Sequence, residues 1–87
     1  MKIADGFVLK KVAESYVVVP TGQHVVDFTA MITINETGEF IWRQLCQETT
    51  VDEIADAMCK EYEIDYATAK NDVEAFVEIL KNNKVLA

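Results

Sequence analysis

The sequence predicts an α+β fold in which a three-stranded antiparallel sheet is followed by three α-helices. The hydrophobic periodicity is strand-like up to residue 34 and helical afterwards, and each helical segment begins at a residue that can cap a helix. Each predicted element is apolar on one side only, so the sheet and the helices must cover one another. This order corresponds to a winged helix-turn-helix. We expect a single domain over residues 1–87, because a chain of this length leaves no room for a second one.

The N-terminal part of the chain supplies the strands. Runs of β-branched and aromatic residues predict strands at residues 7–12, 15–19 and 25–28. The short interval Ala13-Glu14 predicts a tight hairpin between the first two strands. A turn follows at Pro20, because proline cannot continue a central ladder. Residues 31–34 are also extended, either as a continuation of the third strand or as the lead into the first helix.

Three capping residues predict where the helices begin. Asn35, Thr50 and Asp65 each precede an amphipathic segment, and Glu53 completes a capping box with Thr50. The last helix should end where Asn82-Asn83 adopts the left-handed conformation. The residues expected to face the core are Gly38, Ile41, Trp42, Leu45 and Cys46 in the first helix, Val51, Ile54, Ala55, Met58 and Tyr62 in the second, and Ala69, Val73, Phe76, Val77 and Leu80 in the third.

The charge distribution argues against nucleic acid as a partner. The net charge is −7, and all of this excess lies in residues 35–87, on the predicted helices. In winged helices that bind DNA, the last helix enters the major groove and basic residues neutralise phosphates. The longest apolar run, at residues 16–20, is too short to span a membrane, and the N-terminus lacks an export signal. We therefore expect a cytoplasmic protein that binds neither nucleic acid nor membranes.

The residues that usually carry catalysis do not form a recognisable motif. His24 is the one histidine, and we place it in a solvated turn. Cys46 and Cys59 fall on predicted helices and are expected to be largely buried, reduced thiols. Zinc spacing and a phosphate-binding glycine loop are both missing from the sequence. The sequence thus predicts a binding protein and not an enzyme, without a metal or a cofactor.

Two features predict a binding surface. The segment 24–29 contains no proline, lysine or glycine, the residues that usually protect an edge strand from pairing with another chain. On the third helix, Ile79 lies beside the core stripe and beyond Phe76, where the two side chains could form the wall of a groove. Strand addition at an edge, with pockets for alternate side chains, is a known way to bind an extended peptide. Alternatively, the chain's own termini cover this edge.

The residues also carry a resemblance to a known family. The segment Asn35-Glu36-Thr37-Gly38 with Trp42, the preceding residues 26–28 and 32–34, and the helix at 65–80 resemble the PqqD-like proteins over essentially the whole chain. This resemblance implies a RiPP recognition element, a winged-helix peptide chaperone. Such a module binds the leader of a ribosomally made precursor peptide beside its third strand and third helix. It presents that peptide to a modifying enzyme, often a radical S-adenosylmethionine enzyme.

Carried over to this sequence, the resemblance implies a peptide-binding site formed by Val25, Val26, Asp27, Phe28, Thr29, Asp72, Ala75, Phe76 and Ile79. The founding PqqD proteins, which serve pyrroloquinoline quinone biosynthesis, usually end the last helix with a glycine-leucine pair. Here residues 83–86 replace it, which favours a stand-alone recognition element of another peptide-modifying pathway. Two alternatives stay open: a structural subunit that forms a homodimer through its free strand edge, and a winged helix that binds nucleic acid.

Overall fold

The computed structural model describes residues 1–21 and 32–87 and shows the predicted α+β architecture. Its elements are the strands β1 (Phe7–Val12), β2 (Ser15–Pro20) and β3 (Thr33–Ile34), followed by the helices α1 (Glu36–Gln44), α2 (Val51–Glu61) and α3 (Tyr66–Asn82). The three strands form one antiparallel sheet in the order β1-β2-β3. The strand predicted at 25–28 and the turn predicted around His24 lie outside the described residues.

The sheet is built around the predicted hairpin. β1 and β2 are joined by a two-residue turn in which Ala13 adopts a positive φ of 57°. Beyond the strands, Thr21 donates a backbone hydrogen bond to Gly6 at 2.7 Å. β3 lies on the other side of β2, with Ile34 opposite Tyr16. The extended segment predicted at 31–34 therefore supplies the strand that completes the sheet.

All three predicted helix caps are confirmed. The Asn35 side chain accepts a hydrogen bond from Gly38 N at 2.9 Å, and Thr50 Oγ1 accepts one from Glu53 N at 3.2 Å. Asp65 accepts bonds from both the backbone N–H and the hydroxyl of Thr68, at 3.2 and 2.8 Å. Each cap satisfies a helix N–H that would otherwise lack a partner. These local bonds fix the start of every helix.

The core lies where the three helices meet the inner face of the sheet. Ile41, Leu45, Ile54, Val73 and Leu80 are almost fully buried, and all of them were predicted to face inward. Phe40 of α1, which was not, is buried as well. Its ring contacts the ring of Tyr62 edge to face, with the centroids 5.6 Å apart.

Two predictions about the helix ends were wrong. Cys46 is exposed, because α1 ends at Gln44 with Leu45 as its C-cap, so Cys46 lies in the turn beyond the helix. Cys59 is half-buried on α2. At the end of α3 the left-handed residue is Lys84, with a φ of 59°, whereas Asn83 has a φ of −100°. The asparagine side chain instead donates a hydrogen bond to the Ile79 carbonyl at 2.8 Å.

The two chain ends pair with each other. Ile3 forms an antiparallel bridge with Leu86, Ala4 N donates to Val85 O at 2.7 Å, and Ala87 N donates to Lys2 O at 2.9 Å. Ile3 N also donates to Leu45 O at 2.8 Å. The described terminal residues are therefore bonded to each other and to the end of α1. None of these bonds involves β3, the outer strand of the described sheet next to β2.

Candidate functional site

At the outer edge of β3, where no other described strand pairs, the backbone N–H and C=O of one residue point away from the sheet. Val18 N donates to Ile32 O at 3.1 Å, which makes these two residues a hydrogen-bonded pair of the antiparallel ladder. Such pairs alternate with non-hydrogen-bonded pairs. Thr33, opposite Val17, is therefore a non-hydrogen-bonded position. Its N–H and C=O point away from β2, towards the outer edge.

The two edge strands of the described sheet differ in whether their residues oppose the addition of another strand. β1, the edge on the far side, carries Lys10 and Lys11 in its middle, and charged edge residues of this kind oppose pairing with another chain. β3 begins at an exposed threonine, which lies between two buried isoleucines, Ile32 before the strand and Ile34 within it. Of the two edges that the described strands form, β3 is the one suited to accept a further strand.

A groove runs between this edge and α3. It has two parts of about 370 Å³ and about 300 Å³. Asn35, Phe76 and Ile79 line both parts, so they form one continuous surface. The first part is completed by Glu14, Ser15, Ile32, Thr33 and Ile34, and the second by Thr37, Gly38, Ile41, Asp72 and Ala75.

Gly38 allows the floor of this groove to form. A Cβ at this position would lie 3.0 Å from Phe76 Cε2 and closer still to Ile34 Cγ2. Both distances are at or below the shortest that a Cβ atom normally has to a neighbouring atom. Any side chain at Gly38 would therefore displace β3 or the Phe76 ring. The glycine therefore lets the first turn of α1 approach β3 and α3 closely. This is a structural reason for the glycine of the Asn-Glu-Thr-Gly segment.

The groove brings together the four residues predicted on the last helix. Asp72, Ala75, Phe76 and Ile79 follow one another at helical spacing and line the same wall. Phe76 is half-buried, and Ile79 is 48% exposed. The other predicted residues, Val25, Val26, Asp27, Phe28 and Thr29, lie outside the described residues. A role for any of the nine in binding stays a prediction.

The strand wall of the groove was not predicted from the sequence. This wall is formed by residues 32–35, which were predicted only as an extended segment before the first helix. The available signal was the alternation of Ile32, Thr33 and Ile34, in which two buried isoleucines flank an exposed threonine. A run of this length does not show whether it pairs with a neighbour, because pairing depends on a distant part of the chain.

The groove is acidic. Glu14 lines the first part and Asp72 the second, and the described residues that line the two parts include no lysine or arginine. An adjoining depression contains Lys11 together with Glu14 and Glu36, so it adds no net positive charge. Both groove carboxylates are exposed, and neither makes an ion pair or a side-chain hydrogen bond within the described part of the chain.

The shifted pKa values belong to groups outside the groove. The Tyr66 hydroxyl donates to Asp52 Oδ1 at 2.7 Å, and this bond, together with the nearby Lys70 ammonium, lowers the pKa of Asp52. The same bond raises the pKa of Tyr66. The pKa of Asp65 is lowered by its hydrogen bonds from Thr68. These shifts stem from helix capping and from packing between α2 and α3.

The described residues do not suggest metal or membrane chemistry. Among residues 1–21 and 32–87, no three His, Cys, Asp or Glu side chains are grouped so that they could hold a metal ion. No helix in the same ranges is long and apolar enough to cross a membrane. What these ranges offer a ligand is a strand edge beside an apolar, acidic groove.

Comparison with known proteins identifies the fold and the family of the chain. No curated protein matches the chain. Among solved structures, TbiB1 in complex with the TbiA(β) leader peptide is 29% identical, with a TM-score of 0.78 over 99% of this chain and 94% of that one. Lasso peptide synthetase B1 complexed with the leader peptide is 21% identical and shares the fold, with a TM-score of 0.72 over 94% and 91% of the two chains. The family model for coenzyme PQQ synthesis protein D (PqqD) matches residues 14–86, and the chain therefore belongs to the PqqD family.

Proposed function

We propose that this protein is a stand-alone, non-catalytic recognition element that binds the leader of a ribosomally made precursor peptide. The observation that carries the proposal is the outward-facing backbone N–H and C=O of Thr33, which lie beside the apolar wall formed by Phe76 and Ile79. A leader strand placed along β3 would bond to these two groups. Its alternate side chains would enter the groove. Membership of the PqqD family and similarity to TbiB1, solved with a leader peptide, support the same function.

The proposal includes a partner enzyme. On this proposal the protein itself does not modify the leader, so a second protein must do so. We propose that this is a separate cytoplasmic enzyme, of the radical S-adenosylmethionine class or another peptide-modifying class. Residues 25–29, which precede β3 in the chain, are retained as predicted contacts. The residues proposed here from the described part are Ile32, Thr33, Asp72, Ala75, Phe76 and Ile79.

Two alternative functions, homodimer formation and nucleic-acid binding, can be distinguished by experiment. A second copy of the chain could pair with the same β3 edge and form a homodimer. Sedimentation equilibrium would detect this dimer, and a peptide that binds the same edge would convert it to monomers. Binding of nucleic acid would need a basic surface, whereas α3 exposes Asp72, Glu74 and Glu78. A gel shift at low salt tests that function directly.

Replacing Thr33 with proline tests the mode of binding. Proline lacks the N–H, and at this position that N–H points away from β2, so the ladder within the sheet loses no hydrogen bond. A guest strand would lose one backbone hydrogen bond, about 0.5–1.5 kcal/mol, and would also meet the proline ring. We expect binding to weaken at least tenfold while the circular dichroism spectrum stays unchanged.

The measurement is fluorescence anisotropy with overlapping peptides from the leaders of precursors encoded near the gene. Thr33→Val is the matched control, because valine keeps the N–H and the β-branched shape. The proposal fails if no such peptide binds the wild-type protein. Strand addition at β3 fails if a peptide binds and Thr33→Pro and Thr33→Val bind it equally well.

A further inference from the structure

The charges of the groove select for one class of guest peptide. We infer that the bound segment carries basic side chains, lysine or arginine, next to the apolar residues that contact Phe76 and Ile79. This inference rests on the proposed function and specifies its substrate. It starts from the two carboxylates that line the groove, Glu14 in one part and Asp72 in the other.

The two groove carboxylates are free to form ion pairs. The ion pairs between side chains of the described residues involve other carboxylates: Arg43 pairs with Glu39, Lys60 with Asp56 and Lys70 with Asp52. Glu14 and Asp72 take part in none of these pairs. A guest that brings a cation to either position would therefore gain an attraction that costs the protein no existing bond.

The same charges disfavour acidic guests. A carboxylate on the guest would lie beside Glu14 or Asp72 inside a molecule whose net charge is −7. Opposite charges across an interface speed association and like charges reject the wrong partner, and this selection is stronger at low salt. Because both groups are exposed, each ion pair should change the dissociation constant only about two- to five-fold. The preference is therefore a bias in sequence and not an absolute requirement.

A selection from random peptides of about ten residues, displayed on yeast, tests this inference without the natural leader. The wild-type protein should enrich sequences that combine apolar residues with lysine or arginine. The variant Glu14→Lys/Asp72→Lys should lose this bias and enrich aspartate or glutamate instead. The control Glu61→Lys/Glu74→Lys changes the net charge equally, at exposed helix positions that do not line the groove. It should keep the wild-type preference.

The possible outcomes separate the charge preference from peptide binding itself. If apolar sequences are enriched without a basic bias, or if the groove variant keeps that bias, the inference is overturned while peptide binding stands. If the preference for lysine and arginine disappears in both double variants, it reflects the net charge of the protein and not the groove, and the inference is overturned as well. If the wild-type protein enriches no sequence, the proposed function fails and this inference fails with it.

Discussion

Replacing Ile79 with alanine isolates the apolar contribution of the helix wall. Complete burial of an isoleucine side chain is worth about 1.5–3 kcal/mol. Ile79 is 48% exposed in the free protein, so a guest can bury roughly half of it, about 0.7–1.5 kcal/mol. Alanine keeps one of the four side-chain carbons. The expected loss is therefore about 0.5–1 kcal/mol, or a two- to five-fold higher dissociation constant.

The assay is a titration of a labelled peptide that binds the wild-type protein, followed by anisotropy. Alanine is a good helix former, so α3 should stay intact. Val8→Ala is the matched control: Val8 is also 48% exposed, but it lies on β1 and does not line the groove. The groove assignment is refuted if Ile79→Ala leaves the affinity unchanged, or if both substitutions weaken binding equally.

Two further predictions concern the fold that supports the groove. Gly38→Ala should destabilise the protein. Overpacking against Ile34 and Phe76 costs about 1–3 kcal/mol, which exceeds the 0.5–1 kcal/mol that alanine gains over glycine in a helix. Urea denaturation measures the change in stability, and an unchanged or higher midpoint would contradict this prediction. The hydrogen bonds to Asp65 lower its pKa below the ordinary value of 3.8. The Asp65 cap therefore stabilises the protein at pH values above 3.8, and this contribution is lost as the pH falls through the lower pKa of the folded state. Asp65→Asn keeps a capping side chain that does not titrate, so its urea midpoint should fall less than that of the wild type between pH 5 and pH 3. Equal losses in the two proteins would show that the cap is not the titrating group.

The helices could be predicted because their signals are local. Asn35, Thr50 and Asp65 bond to N–H groups only three residues away, so a single stretch of sequence contains both partners. The helical wheel likewise placed Ile79 beside the core stripe, and the structure shows it half exposed on the groove wall.

The features that could not be predicted depend on distant contacts. Helical periodicity continues to Cys46, but the helix stops earlier, at a point where Leu45 is held by Ile3. The strand character of residues 33–34 follows from pairing with β2, more than a dozen residues earlier in the chain. Thr33 was therefore recognisable as exposed, whereas its position on the edge that faces α3 required the assembled sheet.

Amide hydrogen exchange at Thr33, followed by NMR, shows whether a guest peptide adds a strand along β3. In the free protein, Ile34 N–H lies in the ladder with β2 and should exchange slowly, whereas Thr33 N–H points outward and should exchange quickly. Adding a peptide that binds the protein should markedly slow amide exchange at Thr33 and leave the exchange rate of Ile34 nearly unchanged. If Thr33 exchanges as fast in the saturated complex as in the free protein, the guest does not add a strand at this edge.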